Sequence, residues 1–301
     1  MKNQLLVGGH VSIAGGYKEA LPRAAAIGGN ALQMFSGSPR GWNFAKTTPE
    51  DAKAFREEAK KLGIESCYFH ASYLVNLADD GPNGKHSVDA LIAELEVAEQ
   101  LGVWGSIIHL GSFKEEKKDA KDLMPNLFDV KASSPTYVKH ERYDLLISNI
   151  KAVLKKAPKD VHFIIEDMGM RKIGRSLDEI AQIVKDVNDP RVRVCLDTCH
   201  LHVAGYDLST KKKLDDFLAM FDKNIGLDKL ECFHINDSRD EFGSLRDRHD
   251  NIGEGKVAKD VFKLIVNHPK LKHLPFLLEV PGFDDSGPDK KNVEILKSLI
   301  L

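Results

Sequence analysis

The chain has 301 residues, 42% of them hydrophobic and 29% charged, with a formal net charge of −2. That balance excludes a disordered, collagen-like or disulfide-dominated protein and suits a globular chain of the size of one α/β barrel. It also excludes a broadly basic nucleic-acid-binding surface, so any affinity for a polyanion has to be local.

Apolar, β-rich runs alternate with amphipathic helical stretches along the whole length, the pattern of a parallel sheet with helical crossovers. Strands are predicted at 5–11, 31–36, 66–71, 106–111, 162–167, 192–198, 230–236 and 275–280. Helices are predicted at 17–27, 49–62, 87–101, 143–157, 176–187, 211–224, 257–267 and 289–300. Eight such units close a (β/α)8 TIM barrel, so residues 1–301 read as a single α/β domain with its active site at the carboxyl ends of the strands. Thr48-Pro49-Glu50-Asp51 announces a helix by an N-cap, a first-turn proline and acidic groups that complement the helix dipole. Gly63 and Gly102 stand where C-terminal caps belong.

The one irregular stretch is an insertion at about 112–142, which opens on the charge run Lys114-Glu115-Glu116-Lys117-Lys118-Asp119. It lies on the face where barrel enzymes carry their active sites and reads either as a lid or as a solvated loop. Cys67, Cys195, Cys199 and Cys232 fall in or beside apolar runs and read as small buried hydrophobes. No apolar run approaches the roughly 18 residues of a membrane helix, and Met1-Lys2-Asn3-Gln4 leads into the first strand without a signal-peptide pattern. The chain therefore reads as cytoplasmic, with no membrane contact.

The chemistry is concentrated at the strand ends. Strand 3 ends in Phe69-His70, strand 4 in Ile108-His109, strand 5 in Ile165-Glu166, strand 6 in Leu196-Asp197, strand 7 in Phe233-His234 and strand 8 in Leu278-Glu279. The residues two earlier, Tyr68, Ile107, Ile164, Cys195, Cys232 and Leu277, share each donor's direction and form an expected apolar layer below it. One histidine or carboxylate after an apolar strand is usually incidental. Three of each around one mouth are prohibitively costly to bury without cations or hydrogen bonds. His200, just after strand 6, and Asp247 and His249, in the loop after strand 7, extend the set. The mixture of carboxylate and imidazole suits zinc, with manganese or iron as substitutes.

Several motifs resemble the endonuclease IV family, the zinc-dependent apurinic/apyrimidinic endonucleases of DNA base-excision repair. They are Gly9-His10-Val11-Ser12, His70-Ala71-Ser72-Tyr73-Leu74-Val75-Asn76-Leu77, Leu196-Asp197-Thr198-Cys199-His200, His234-Ile235-Asn236-Asp237-Ser238 and Asp247-Arg248-His249 followed by Ile252-Gly253-Glu254-Gly255. The resemblance spans the chain. It implies three Zn2+ ions: one held by His70, His109 and Glu166, a second by Glu166, Asp197, His234 and Glu279, and a third by His200, Asp247 and His249. Glu279 and Glu166 are the implied catalytic groups. The implied reaction is hydrolysis of the phosphodiester 5′ to an abasic site in double-stranded DNA, leaving a 3′-hydroxyl and a 5′-deoxyribose phosphate, by a monomeric enzyme.

The same resemblance assigns Arg40 and Tyr73 to insertion at the lesion, while Trp42 either stacks on a base or packs. His10 reads as a group that orients a ligand or phosphate, and His202 as a competitor of His200. Leu110-Gly111, Asp167-Met168-Gly169 and Gly41 depart from the family pattern. Two other readings are a xylose-isomerase-like sugar isomerase or epimerase, which would use one or two ions held mainly by carboxylates, and a module that binds abasic DNA without cutting it.

Overall fold

The computed structural model describes residues 5–42, 45–113, 140–169 and 172–301. Eight parallel strands close into a barrel in chain order: β1 (Val7–His10), β2 (Ala31–Phe35), β3 (Ser66–His70), β4 (Gly105–Ile108), β5 (His162–Glu166), β6 (Val192–Asp197), β7 (Leu230–His234) and β10 (Phe276–Leu278). Closure runs through β1 and β10, where Val7 pairs with Phe276 and Gly9 with Leu278. A short antiparallel ribbon, β8 (Asp237–Ser238) with β9 (His249–Asp250), lies in the connection between β7 and β10. With two residues per strand, the ribbon is too short for any sequence period to mark it.

The helices among the described residues are α1 (Ala20–Ala26), α2 (Pro49–Leu62), α3 (Pro82–Leu101), α4 (Tyr143–Lys156), α5 (Leu177–Val187), α6 (Thr198–Ala204), α7 (Lys211–Asn224), α8 (Lys259–Asn267) and α9 (Lys290–Ser298). Local chemistry fixes their ends. The Thr48 hydroxyl accepts the Asp51 amide and Ser176 accepts that of Glu179, while Gly63 and Gly102 close α2 and α3 in the left-handed conformation.

Helix α3 begins at Pro82, earlier than the predicted start at 87. Proline is well suited to the first helical position, and Ser87 is no cap: its hydroxyl donates to Asn83 O (2.6 Å) and accepts the Asn76 amide (2.9 Å). Helix α6 occupies a stretch expected to be loop. Asp197 caps it by accepting the amides of Cys199 (2.6 Å) and His200 (3.2 Å).

The main apolar core lies between strands and helices, and a second cluster fills the barrel itself. Its members are Ala31, Tyr68, Ile107, Ile164, Cys195, Cys232 and Leu277, all fully buried. Six of these seven are the residues expected beneath the strand-end donors; Ala31 of β2 completes the layer. At the amino end, the Tyr68 hydroxyl donates to Glu231 (3.2 Å), which also faces His162 at 3.1 Å. All four cysteines are free and buried. The predicted insertion falls, from residue 114 to 139, outside the described residues; its flanks meet where the rings of Phe113 and His140 stack 4.4 Å apart.

Candidate metal centre

The barrel delivers one donor from each of six strands to a single mouth. His70, Glu166, Asp197 and His234 are the last residues of β3, β5, β6 and β7, and His109 and Glu279 follow β4 and β10 by one residue. His200 is carried by α6, Asp247 precedes β9, and His249 begins it.

Together these nine side chains form three groups, in each of which the donor atoms lie within 4.8 Å of one another: His70, His109 and Glu166; Glu166, Asp197, His234 and Glu279; and His200, Asp247 and His249, the first two sharing Glu166. Glu166 joins the first group to the second through contacts with His109 (2.8 Å), His70 (3.3 Å) and His234 (3.0 Å). His249 links the second and third, with Nε2 at 3.6 Å from Asp197 and 3.3 Å from Asp247. A further grouping brings Cys199 beside Asp197 and His249, but burial first, and then the charge of Asp197, favour the protonated thiol.

The arrangement fits cations better than a network of hydrogen bonds. Both ring nitrogens of His109 are buried without a hydrogen bond, although Nε2 lies 2.8 Å from Glu166, and Nε2 of His249 is likewise unsatisfied. Donor atoms that approach closely without hydrogen-bonding geometry are aimed at a common point between them. Two more of the histidines are prepared in the same sense. His70 donates Nδ1–H to Ala71 O (2.8 Å) and His200 donates Nδ1–H to Asp167 O (2.7 Å), which leaves each Nε2 with a free lone pair. Burial would raise the carboxyl groups of Glu166 and Glu279. Instead, His109 and His234 hold Glu166 well below the usual carboxylate range, and His234 and His70 do the same for Glu279.

Two residues that the sequence reading passed over support the donors. Asn236 donates to Asp197 Oδ2 (2.6 Å) and accepts the Glu279 amide (2.7 Å), so it orients one donor and anchors another. Gln33 contacts Glu279, His10 and His234. The available signal was a single amide in an apolar strand or just beyond one. The loop bearing Asp247 and His249 is fastened to α6 by hydrogen bonds from Gly243 N to His202 O (3.1 Å) and from Leu245 N to Val203 O (3.0 Å). Arg248, between the two donors, forks onto the buried Asp240 with two 2.7 Å bonds.

Among the other candidates, His10 lies at the mouth with Nδ1 3.5 Å from Glu279. His202 joins none of the donor groups and meets Phe242 edge-on, 5.6 Å between ring centroids. Arg40 and Tyr73 stand on neighbouring loops beside the mouth, and the Ser72 hydroxyl ties those loops together by donating to Pro39 O (2.9 Å). Tyr73 is 60% exposed; its phenol is pushed up to about 12 by partial burial and by Glu279 and Glu166, while Arg40 pulls the other way. Trp42 packs against His86, 5.4 Å between rings.

Residues 21–299 match the family model described as xylose isomerase-like TIM barrel. The chain is 35% identical to the probable endonuclease 4 of Thermosipho africanus over 97% of its length and 98% of the relative's. It is 34% identical to that of Halothermothrix orenii over 97% and 99%. The crystal structure of endonuclease IV from Thermus thermophilus superposes with a TM-score of 0.79 at 29% identity, covering 97% of this chain and 98% of that one. A D-tagatose 3-epimerase-like protein shares the fold, with a TM-score of 0.67 at 19% identity over 97% and 96% of the two chains.

Proposed function

The chain belongs to the endonuclease IV family within the xylose isomerase-like barrels, and on that premise we propose that it is a metal-dependent DNA-repair endonuclease that hydrolyses the phosphodiester 5′ to abasic sites. The products are a 3′-hydroxyl and a 5′-deoxyribose phosphate. The observation that carries this reading is the set of three adjoining donor groups, two of them sharing Glu166 and the third reached through the contact of His249 with Asp197.

Each group would hold one divalent cation, zinc by its mixture of imidazole and carboxylate, with manganese or iron as substitutes. Bound there, such ions lower the pKa of water and offset negative charge on phosphate oxygens. The chain's own residues do the rest. Glu166 and Glu279 remain ionised at the mouth, placed to orient the attacking water. His200, Asp247 and His249 would hold the cation that balances the charge on the leaving oxygen. Arg40 and Tyr73 fill the space vacated at the lesion, which costs least where the base is already missing.

The substrate is double-stranded DNA, met by residues 1–301 acting as one barrel domain and as a monomer in the cytoplasm. Among the described residues no helix is long and apolar enough to cross a membrane. The group His200, Asp247 and His249 favours phosphodiester chemistry over a sugar epimerase, which would be served by one or two ions on carboxylates.

Metal analysis of the purified chain, paired with incision of a duplex carrying one synthetic abasic site before and after chelation, tests the reading. The expected result is about three ions per chain, as the donor groups imply, with chelator-sensitive cutting 5′ to the lesion. Fewer ions with no incision and turnover of a ketose would overturn it in favour of the epimerase class. Lesion binding without cutting by the metal-loaded chain would favour a non-cleaving module.

A further inference from the structure

Strands β1 and β2 supply none of the nine donors, yet β2 sends one polar side chain to the same level of the barrel. Gln33 is fully buried between Leu32 and Met34, and it shares its face with Ala31 of the interior layer. It therefore stands above that layer as the donors do on the other strands.

Its three contacts dictate their own polarity. Gln33 Nε2 lies 2.5 Å from Glu279 Oε1 and 2.8 Å from His10 Nδ1, and Gln33 Oε1 lies 2.7 Å from His234 Nε2. An ionised carboxylate only accepts, so the amide NH2 faces Glu279 and the amide oxygen must face His234. An amide oxygen only accepts, so His234 carries its proton on Nε2. The lone pair then sits on Nδ1, the nitrogen that lies 3.0 Å from Glu166 and 3.4 Å from Glu279, on the cation side of the ring. The second amide proton goes to His10 Nδ1, which stops that imidazole from competing for Glu279. One neutral side chain thus sets the tautomer of one donor and the rotamer of another.

We infer that Gln33 is a positioning residue for the second cation site, holding His234 and Glu279 in their ligating states without touching the ion. This rests on the reading of the mouth as a three-cation centre. Groups that orient metal ligands in this way typically change affinity by roughly 10- to 100-fold when removed.

The test compares wild type with Q33M, which keeps the length and loses both polar ends, by titrating the zinc-loaded proteins with a chromophoric chelator. The expected result is that one of the ions leaves Q33M at roughly 10- to 100-fold lower chelator strength while the others leave as in wild type. The metal-free melting temperature should stay within about 2 °C, the shift expected of less than about 1 kcal/mol in a chain of this size. The cobalt-substituted variant should show an altered visible spectrum from one site.

Release of every ion at the wild-type chelator strength would overturn the role of Gln33 alone, as would equal weakening of all ions with a large drop in melting temperature. A wild-type chain that binds no ion would overturn the cation reading and this inference with it. Should Q33M fail to fold, Q33N keeps the amide but withdraws it by one methylene, and the same selective loss is expected; unchanged release from Q33N would refute the role.

Discussion

Replacing Glu279 with glutamine tests the centre most directly, because the side chain touches two of the donor groups. Its Oε2 lies 3.4 Å from His234 Nδ1 and its Oε1 4.0 Å from His70 Nε2, while its main-chain amide is held by Asn236 at 2.7 Å. E279Q keeps the volume and the backbone anchor. It removes one of the four carboxylates of the centre, Glu166, Asp197, Asp247 and Glu279. Gln33 already presents its NH2 to this position, so the new amide turns its oxygen toward Gln33 and its own NH2 toward the cation, where a donor repels.

Loss of one of four ligands at the second group should weaken that ion by about 100-fold, or about 2.7 kcal/mol. The stabilisation that zinc confers on the fold would fall by a similar amount at fixed zinc, roughly 5 °C in melting temperature for a chain of this length. The chemical step should slow by about 1,000-fold, close to 4 kcal/mol. Single-turnover incision of an abasic duplex with enzyme in excess measures the rate, and melting with and without zinc measures the coordination. Cleavage by E279Q at a rate within about threefold of wild type, less than about 0.7 kcal/mol, would refute both the ligand assignment and the catalytic role.

Two further outcomes follow from residues away from the ions. Y73A removes an exposed ring that packs edge-on against Phe35 at 5.4 Å, and it should lower the preference for abasic over intact duplex by roughly tenfold, about 1.4 kcal/mol, without changing metal content; an unchanged ratio in competition binding would reject the insertion role. Tyr206 is pushed up to about 12, chiefly by burial, and its hydroxyl oxygen accepts the Leu177 amide at 3.1 Å. A phenol whose folded pKa is raised contributes stability that is whole below its ordinary value near 10 and is lost as pH rises through about 12. Denaturant unfolding should therefore show wild type more stable than Y206F at pH 9, with the gap closing between pH 10 and 12; a constant gap would show that the phenol ionises as readily in the fold as in the unfolded chain.

The fold was legible because the barrel repeats one rule eight times. Period-two alternation places Ile164 inward and Glu166 above it, and the same count works for Tyr68 with His70 and for Cys232 with His234. The nine donors could be read from strand ends and two loop motifs without any knowledge of distance. What escaped was polar chemistry that looks ordinary in a sequence. Gln33 sits in an apolar strand and Asn236 beside a histidine, and neither residue type announces a cation. The helix predicted from 87 begins at Pro82 instead, and the Ser87 hydroxyl works within it and toward Asn76. The β8–β9 ribbon is too short for periodicity to show it at all.

The motifs themselves also divide into chemistry and scaffolding, and the structure shows why they travel together. Asp197 is a donor of the second group, yet the same carboxylate caps α6 through the amides of Cys199 and His200, which aims His200 at the third group. Asp237 is no ligand: it accepts the amides of Gly253 (2.9 Å), Gly255 (3.1 Å) and Val257 (2.9 Å), so the segment Ile252-Gly253-Glu254-Gly255 is folded around it. A Cβ on Gly255 would come within 2.4 Å of Asp237 Oδ1 and Ser238 O, which explains the glycine without any role in catalysis. Those bonds hold the strand beside β9, and β9 begins with His249. The spacing of such a motif is thus set twice, once by the donor group it completes and once by the turn that presents it. That double constraint ties the stretches around Asp197, His234 and Asp247 to their turns as firmly as to their donor groups.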